Sequence, residues 1–207
     1  MPKSLPKETV PRLHLSSVKV ERFKAAFKPE PVPLRPFNLV LGRNGSGKST
    51  LLEALQWVDG TLRHDAGTAL GRYFGIAPVV NVRSQQAFFQ LGLTWKVEKE
   101  GDLAYRVKVV QRRDGVTPLI SSESLELQAG RRKRPLITTV SEANVRKDRP
   151  GVRLVYPKEP RFTREVSDPD RLALGQAANV GVLNPGLDDR LIIPRSMLSG
   201  RTRSSSD

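Results

Sequence analysis

The eight residues from Gly42 to Ser49 (Gly-Arg-Asn-Gly-Ser-Gly-Lys-Ser) constrain this chain more than any other feature. They satisfy G-x-x-x-x-G-K-[ST], a loop that cradles phosphate when it joins a strand to a helix. Both flanks carry the required pattern. Residues 37–42 read as a short buried strand ending in glycine. Leu51, Leu52, Leu55 and Val58 then recur at helical spacing, with Gly60 placed as a C-cap. A phosphate chain needs several backbone N–H groups converging on it with no Cβ in the way. Gly42, Gly45 and Gly47 permit such a turn, and Asn44 and Ser46 complete the cradle. The helix opening near Gly47 aims its free N–H groups and positive dipole end at the anion. Lys48 supplies a point charge to the β- and γ-phosphate oxygens, and Ser49 offers a hydroxyl to Mg²⁺. Thr50 is a lesser candidate, through its N–H and hydroxyl near the α-phosphate.

Around this loop the chain reads as follows. Residues 1–11 hold three prolines and form a flexible leader. Leu13, Leu15, Val18, Val20 and Phe23 alternate as in a strand, with one slip at Ser16–Ser17. Four prolines in 28–36 require a turn or an extended connection. Residues 61–78 are ambiguous. From Phe89 to Val97 and from Leu103 to Val109 the period is two, and Asp114–Gly115 is a hairpin turn signal. Further strands are expected around 124–128, 135–140 and 151–157. A helix is expected from 168, with Asp168 as N-cap and Pro169 in its first turn. The expected organisation is a nucleotide-binding lobe over 12–128, a remainder over 129–195 and a disordered tail over 196–207. The fold class is α/β: a mixed sheet, a phosphate-loop helix and an antiparallel side layer.

The 207 residues contain no cysteine, which excludes disulfides and thiolate metal sites. His14 and His64 are too few for a histidine metal centre and read as structural or surface residues. No apolar signal region and no run of ~18 apolar residues occurs, so a soluble cytoplasmic protein with no membrane partner is expected. The net charge of +14 is divided evenly between the two halves of the chain. Such an excess favours polyanions such as DNA, or else simply keeps the surface solvated. No Asn-Lys-x-Asp guanine-reading element occurs, because residues 144–148 have the wrong spacing. Elimination therefore favours ATP.

Residues 37–57 resemble the Walker A region of the ABC-type ATPase heads of SMC and RecF proteins. They are most similar to related bacterial AAA-type ATPases of DNA repair and anti-phage systems. The resemblance rests on Asn44-Gly45 before Ser46-Gly47-Lys48 and on Leu52-Glu53-Ala54-Leu55 opening the helix. Upstream, Arg22-Phe23-Lys24 matches a segment where asparagine is commoner than arginine. The resemblance implies that Arg22, Phe23 and Lys24 approach the adenine and ribose, although Phe23 also reads as core and Lys24 as surface. It implies an antiparallel layer beside the nucleotide, matched by 88–128. In complete members two heads sandwich ATP, as a head-to-head dimer, and couple hydrolysis to work on DNA.

An ATPase also needs a Walker B strand, about four apolar residues before Asp and usually then Glu. No aspartate meets this. Asp59 follows a helical segment, and Asp188–Asp189 follow Asn184-Pro185-Gly186-Leu187, which is no strand. Leu198-Ser199-Gly200-Arg201 shares only three common residues with the Leu-Ser-Gly-Gly motif of ABC ATPases. Gln85, Gln86, Gln90, Gln111 and Gln128 all remain open as the Q-loop residue. The chain is thus expected to be the first lobe of a longer ATPase head, a fragment or a truncated gene product. Two alternatives stand beside it: a basic nucleic-acid-binding module with structural or regulatory nucleotide, and a small P-loop kinase.

Overall fold

The computed structural model describes residues 13–98, 100–112, 114–141, 152–155, 163–166 and 170–175. The leader, the tail and the positions Asp168, Pro169, Asp188, Asp189 and Leu198–Arg201 lie outside the described residues.

Alternation from Leu13 produces strand β1 (Leu13–Glu21). The two serines break its period where the sequence slips, and the register against its neighbour shifts between Leu15 and Ser17. That shift returns Val18 and Val20 to the core. The proline-rich segment contributes the two-residue edge strand β2 (Val32–Pro33), where a missing N–H is tolerated. The period-two region forms β3 (Phe88–Val97), β4 (Gly101–Gln111) and β5 (Pro118–Ala129). At the β4–β5 turn Asp114 accepts the Val116 and Thr117 N–H groups at 2.9 Å each, and Gly115 takes φ +77°. The meander continues through β6 (Arg132–Ser141), β7 (Val152–Val155) and β8 (Thr163–Val166). The eight strands form one sheet in the order β2-β1-β3-β4-β5-β6-β7-β8. Every pairing between these strands is antiparallel.

Helix α1 (Lys48–Arg63) packs on this sheet through Trp57, whose ring meets Phe89 edge-on at 5.0 Å, while Phe23 meets Phe89 at 5.2 Å. The helix does not stop at Gly60, contrary to the sequence expectation. Gly60 instead lets helix α2 (Ala66–Gly71) approach, since a Cβ there would lie 3.4 Å from the Ala69 Cβ. The ambiguous stretch resolves into α2, N-capped by Asp65, and a 3₁₀ turn at Ala77–Val79. Asp65 accepts the Thr68 N–H at 2.7 Å. Among the described residues no helix is long and apolar enough to cross a membrane.

Two further expectations are corrected. Residues 37–42 form no strand: Phe37 and Leu41 are 83% and 80% exposed, and Leu39 and Val40 are also exposed. An apolar run becomes a buried strand only when neighbours supply hydrogen bonds, and no described strand lies beside it. The helix expected from 168 opens only at Ala173, and its cap comes from the sheet. Glu123 of β5, 2% exposed, accepts the Ala173 N–H at 2.6 Å and the Leu174 N–H at 2.9 Å. The Tyr105 hydroxyl donates to the same carboxylate at 2.9 Å. Leu172, Ala173 and Leu174 are consequently buried, and Arg112 pairs with Asp170 at 2.6 Å.

Candidate functional site

The phosphate loop is built by backbone conformation. Gly45 and Gly47 adopt φ +80° and +90°, a left-handed geometry that side chains rarely tolerate. A Cβ on Gly42 would come within 2.8 Å of the Ser46 Oγ. These three positions thus leave the concave face of the loop open. Gly47 caps α1 with no side-chain hydrogen bond, and no acidic residue lies in the first turn. The first turn of α1 therefore supplies no carboxylate of its own to its free N–H groups and the positive end of its dipole.

The Lys48 ammonium folds back over the loop and donates to the Gly42 and Arg43 carbonyl oxygens at 2.7 and 2.6 Å, with the Ser46 Oγ at 3.4 Å. Two carbonyl oxygens thus hold the ammonium where phosphate oxygens would be its stronger partners. Ser49 is exposed beside it, whereas the side chain of Thr50 is buried and only its backbone serves the loop. Asn44 is exposed at the loop tip. The donor set and the absence of Cβ atoms fit a polyphosphate. The Ser49 hydroxyl is the loop side chain that would hold Mg²⁺, whose chemistry there would be to neutralise phosphate charge.

The Arg22–Lys24 turn abuts this loop: a Cβ on Gly47 would lie 3.9 Å from that of Ala25. Arg22 and Lys24 both take positive φ, +59° and +47°, uncommon for residues with side chains. Asn81 fixes them. Its N–H donates to the Arg22 carbonyl at 2.9 Å, its side-chain amide donates to the Lys24 carbonyl, and the Lys24 N–H donates to the Val79 carbonyl at 2.7 Å. Phe23 points away and is fully buried. The Arg22 guanidinium lies 4.2 Å from the centroid of Phe88 and donates to the Ser84 Oγ at 3.0 Å. Lys24 forms an ion pair with Glu53 of α1 and stacks 4.3 Å from the Tyr73 ring centroid. Tyr73 donates to Glu53 at 3.3 Å.

Sequence reasoning missed Asn81, Glu53 and Tyr73 as members of this neighbourhood. Glu53 was visible only within the helix-opening run, and Asn81 and Tyr73 carry no local signal at all. Asp59, the nearest aspartate after the loop, is helical as expected and pairs with Arg63 at 2.8 Å. Gln85 and Gln86 are exposed before β3, while Gln90, Gln111 and Gln128 lie on strands. Among the described residues no cluster of His, Asp and Glu could hold a metal ion.

A comparison with curated proteins found no match. A family model described as an AAA domain matches residues 18–148, which include the phosphate loop, the Arg22–Lys24 turn, α1 and the meander as far as β6. That span exceeds half of the 207 residues. The chain accordingly belongs to the AAA domain family of P-loop ATPases.

Proposed function

We propose that this chain is the N-terminal ATP-binding lobe of an SMC/RecF-like ABC-type ATPase that works on DNA. The observation that carries the reading is the phosphate loop: two left-handed glycines, a helix start without acidic residues, and Lys48 poised over the loop. Gly42, Asn44, Gly45, Ser46, Gly47, Lys48, Ser49 and the Thr50 backbone would hold the phosphates, with Ser49 as the one metal-facing side chain. Arg22 and Lys24 would lie toward ribose and base, with Phe23 serving the core beneath them.

The exposed run at 37–42 supports the lobe reading. A largely apolar segment that pairs with no described strand suits an inner position of a parallel sheet. Strands from outside the described residues, of this chain or of another, would complete that sheet and bring the acidic residue that hydrolysis needs. Head-to-head pairing of such lobes follows from the same resemblance, and a cytoplasmic location goes with the sequence's want of an apolar signal region.

Calorimetric titration with Mg-ATP tests the site. Lys48→Ala is expected to weaken binding roughly 10- to 100-fold, the scale of a charge-assisted hydrogen bond removed. Ser49→Ala is expected to reduce the Mg²⁺ dependence more than the affinity for ATP without metal. Unchanged affinity in Lys48→Ala would overturn the assignment.

A further inference from the structure

Residues Arg131, Arg132, Lys133 and Arg134 turn the β5–β6 hairpin and begin β6. The first three are exposed and Arg134 is half-buried. Their cross-strand partners are neutral: Ala129 faces Arg132, Gln128 faces Lys133 and Leu127 faces Arg134. Nearby acids are engaged elsewhere, Glu126 with Arg106 at 3.9 Å and Asp102 with Lys96 at 2.6 Å. The next turn of the same sheet end reads Glu98-Lys99-Glu100, a net charge of −1 against four positive charges. None of the four cations forms an ion pair with another described residue.

A run of four adjacent like charges repels itself. Here it is held in an ordered hairpin with Gly130 at φ +60° in the turn. Successive side chains of a strand point to opposite faces, and those on one face repeat every ~6.8 Å. The tip therefore shows cations on both sides at a fixed spacing. Three of the four are arginines, whose planar forks bind phosphate oxygens two at a time. No large apolar side chain stands at the tip to enter a bilayer, the residues around the turn being Gln128, Ala129, Gly130 and Pro135.

We infer that the Arg131–Arg134 hairpin tip is a contact for the phosphate backbone of nucleic acid, separate from the nucleotide loop. It deepens the DNA side of the proposed function, on which it rests, and gives that partner an address on the chain. The contact is electrostatic and indifferent to base sequence, because nothing at the tip is arranged to read base edges.

The experiment measures anisotropy of a labelled 30-base-pair duplex across a salt series. It compares the natural chain, R131S/R132S/K133S/R134S, the charge-conserving R131K/R132K/R134K, and a control removing Lys28, Arg35, Arg63 and Arg83. The serine variant is expected to bind at least 10-fold more weakly at 0.1 M salt. Its plot of log K against log salt should be shallower by up to ~3.6, about 0.9 for every phosphate no longer neutralised. The lysine variant should keep most of the affinity, and the control should weaken by no more than ~3-fold. Equal weakening in the serine variant and the control would assign binding to net charge and overturn the inference. So would weakening in the lysine variant as large as in the serine variant, or binding to phosphatidylserine vesicles or polyglutamate without binding to the duplex. Mg-ATP titration of the same proteins separates the two readings. Failure there leaves the hairpin result standing, and an unaffected hairpin leaves the nucleotide site standing.

Discussion

Glu123→Ala is expected to destabilise the protein by roughly 3–5 kcal/mol, because it strands three buried donors at once. The Ala173 and Leu174 N–H groups and the Tyr105 hydroxyl all converge on this carboxylate. Burial pushes the Glu123 carboxyl up to about 7, against the pull of the Leu174 and Ala173 N–H groups and the Tyr105 hydroxyl. Burial first, and then the neighbouring Glu123, also raise the Tyr105 hydroxyl well above its usual range, so it stays a donor. The folded state then holds a proton that the unfolded chain releases above about 4.5. The stabilising contribution is therefore full below that pH and is lost as pH rises through about 7. Glu123→Gln removes the titration while keeping the volume. Thermal unfolding from pH 4.5 to 8 should show the natural protein falling relative to Glu123→Gln by about 3 kcal/mol across that window. Parallel curves for the two proteins would show that the carboxyl does not titrate there.

The second large effect is expected in turnover. The proposed function gives Mg²⁺ only Ser49 among the loop side chains, and no aspartate in the sequence follows an apolar run of the Walker B kind. Missing positioning and charge stabilisation of this kind cost several kcal/mol of barrier, on the order of 10³-fold in rate or more. The purified 207-residue chain should bind Mg-ATP yet release phosphate barely above the rate without protein. Single-turnover assays with excess protein would check this, and robust release would mean that an acid from outside the described residues completes the site.

The phosphate loop and the meander were legible because each obeys a local rule. Fixed spacing identifies Gly42, Gly47, Lys48 and Ser49, and alternation identifies β3, β4 and β5 down to the serine slip in β1. Gly60 was misread as a helix end because the reason for a small residue there is tertiary, namely the approach of Ala69. The run at 37–42 was misread for the opposite reason, since apolar content signals burial but cannot supply the neighbour that hydrogen-bonds it. Glu123 had a readable sign. Counting inward by two from Leu127 and Leu125 places it on the core face, where a carboxylate requires donors. Which donors it finds depends on a segment 50 residues away and leaves no local trace. Asn81 and Tyr73 join the Arg22–Lys24 turn only through the fold.

The strand order also sets the sequence of events as the chain is made. From β3 onward every pairing joins chain neighbours, so those hairpins can close as each strand appears. The exception is β1, which pairs with β3 across everything from Arg22 to Ala87, the phosphate loop and both helices included. Closing that long excursion carries the largest entropic cost in the sheet, and it waits for a strand synthesised after it. Asn81, which locks the Arg22–Lys24 turn against the loop, arrives equally late. A nascent chain thus emerges with its glycine loop already translated but unsupported, and nucleotide capture waits until β3 has cleared the ribosome.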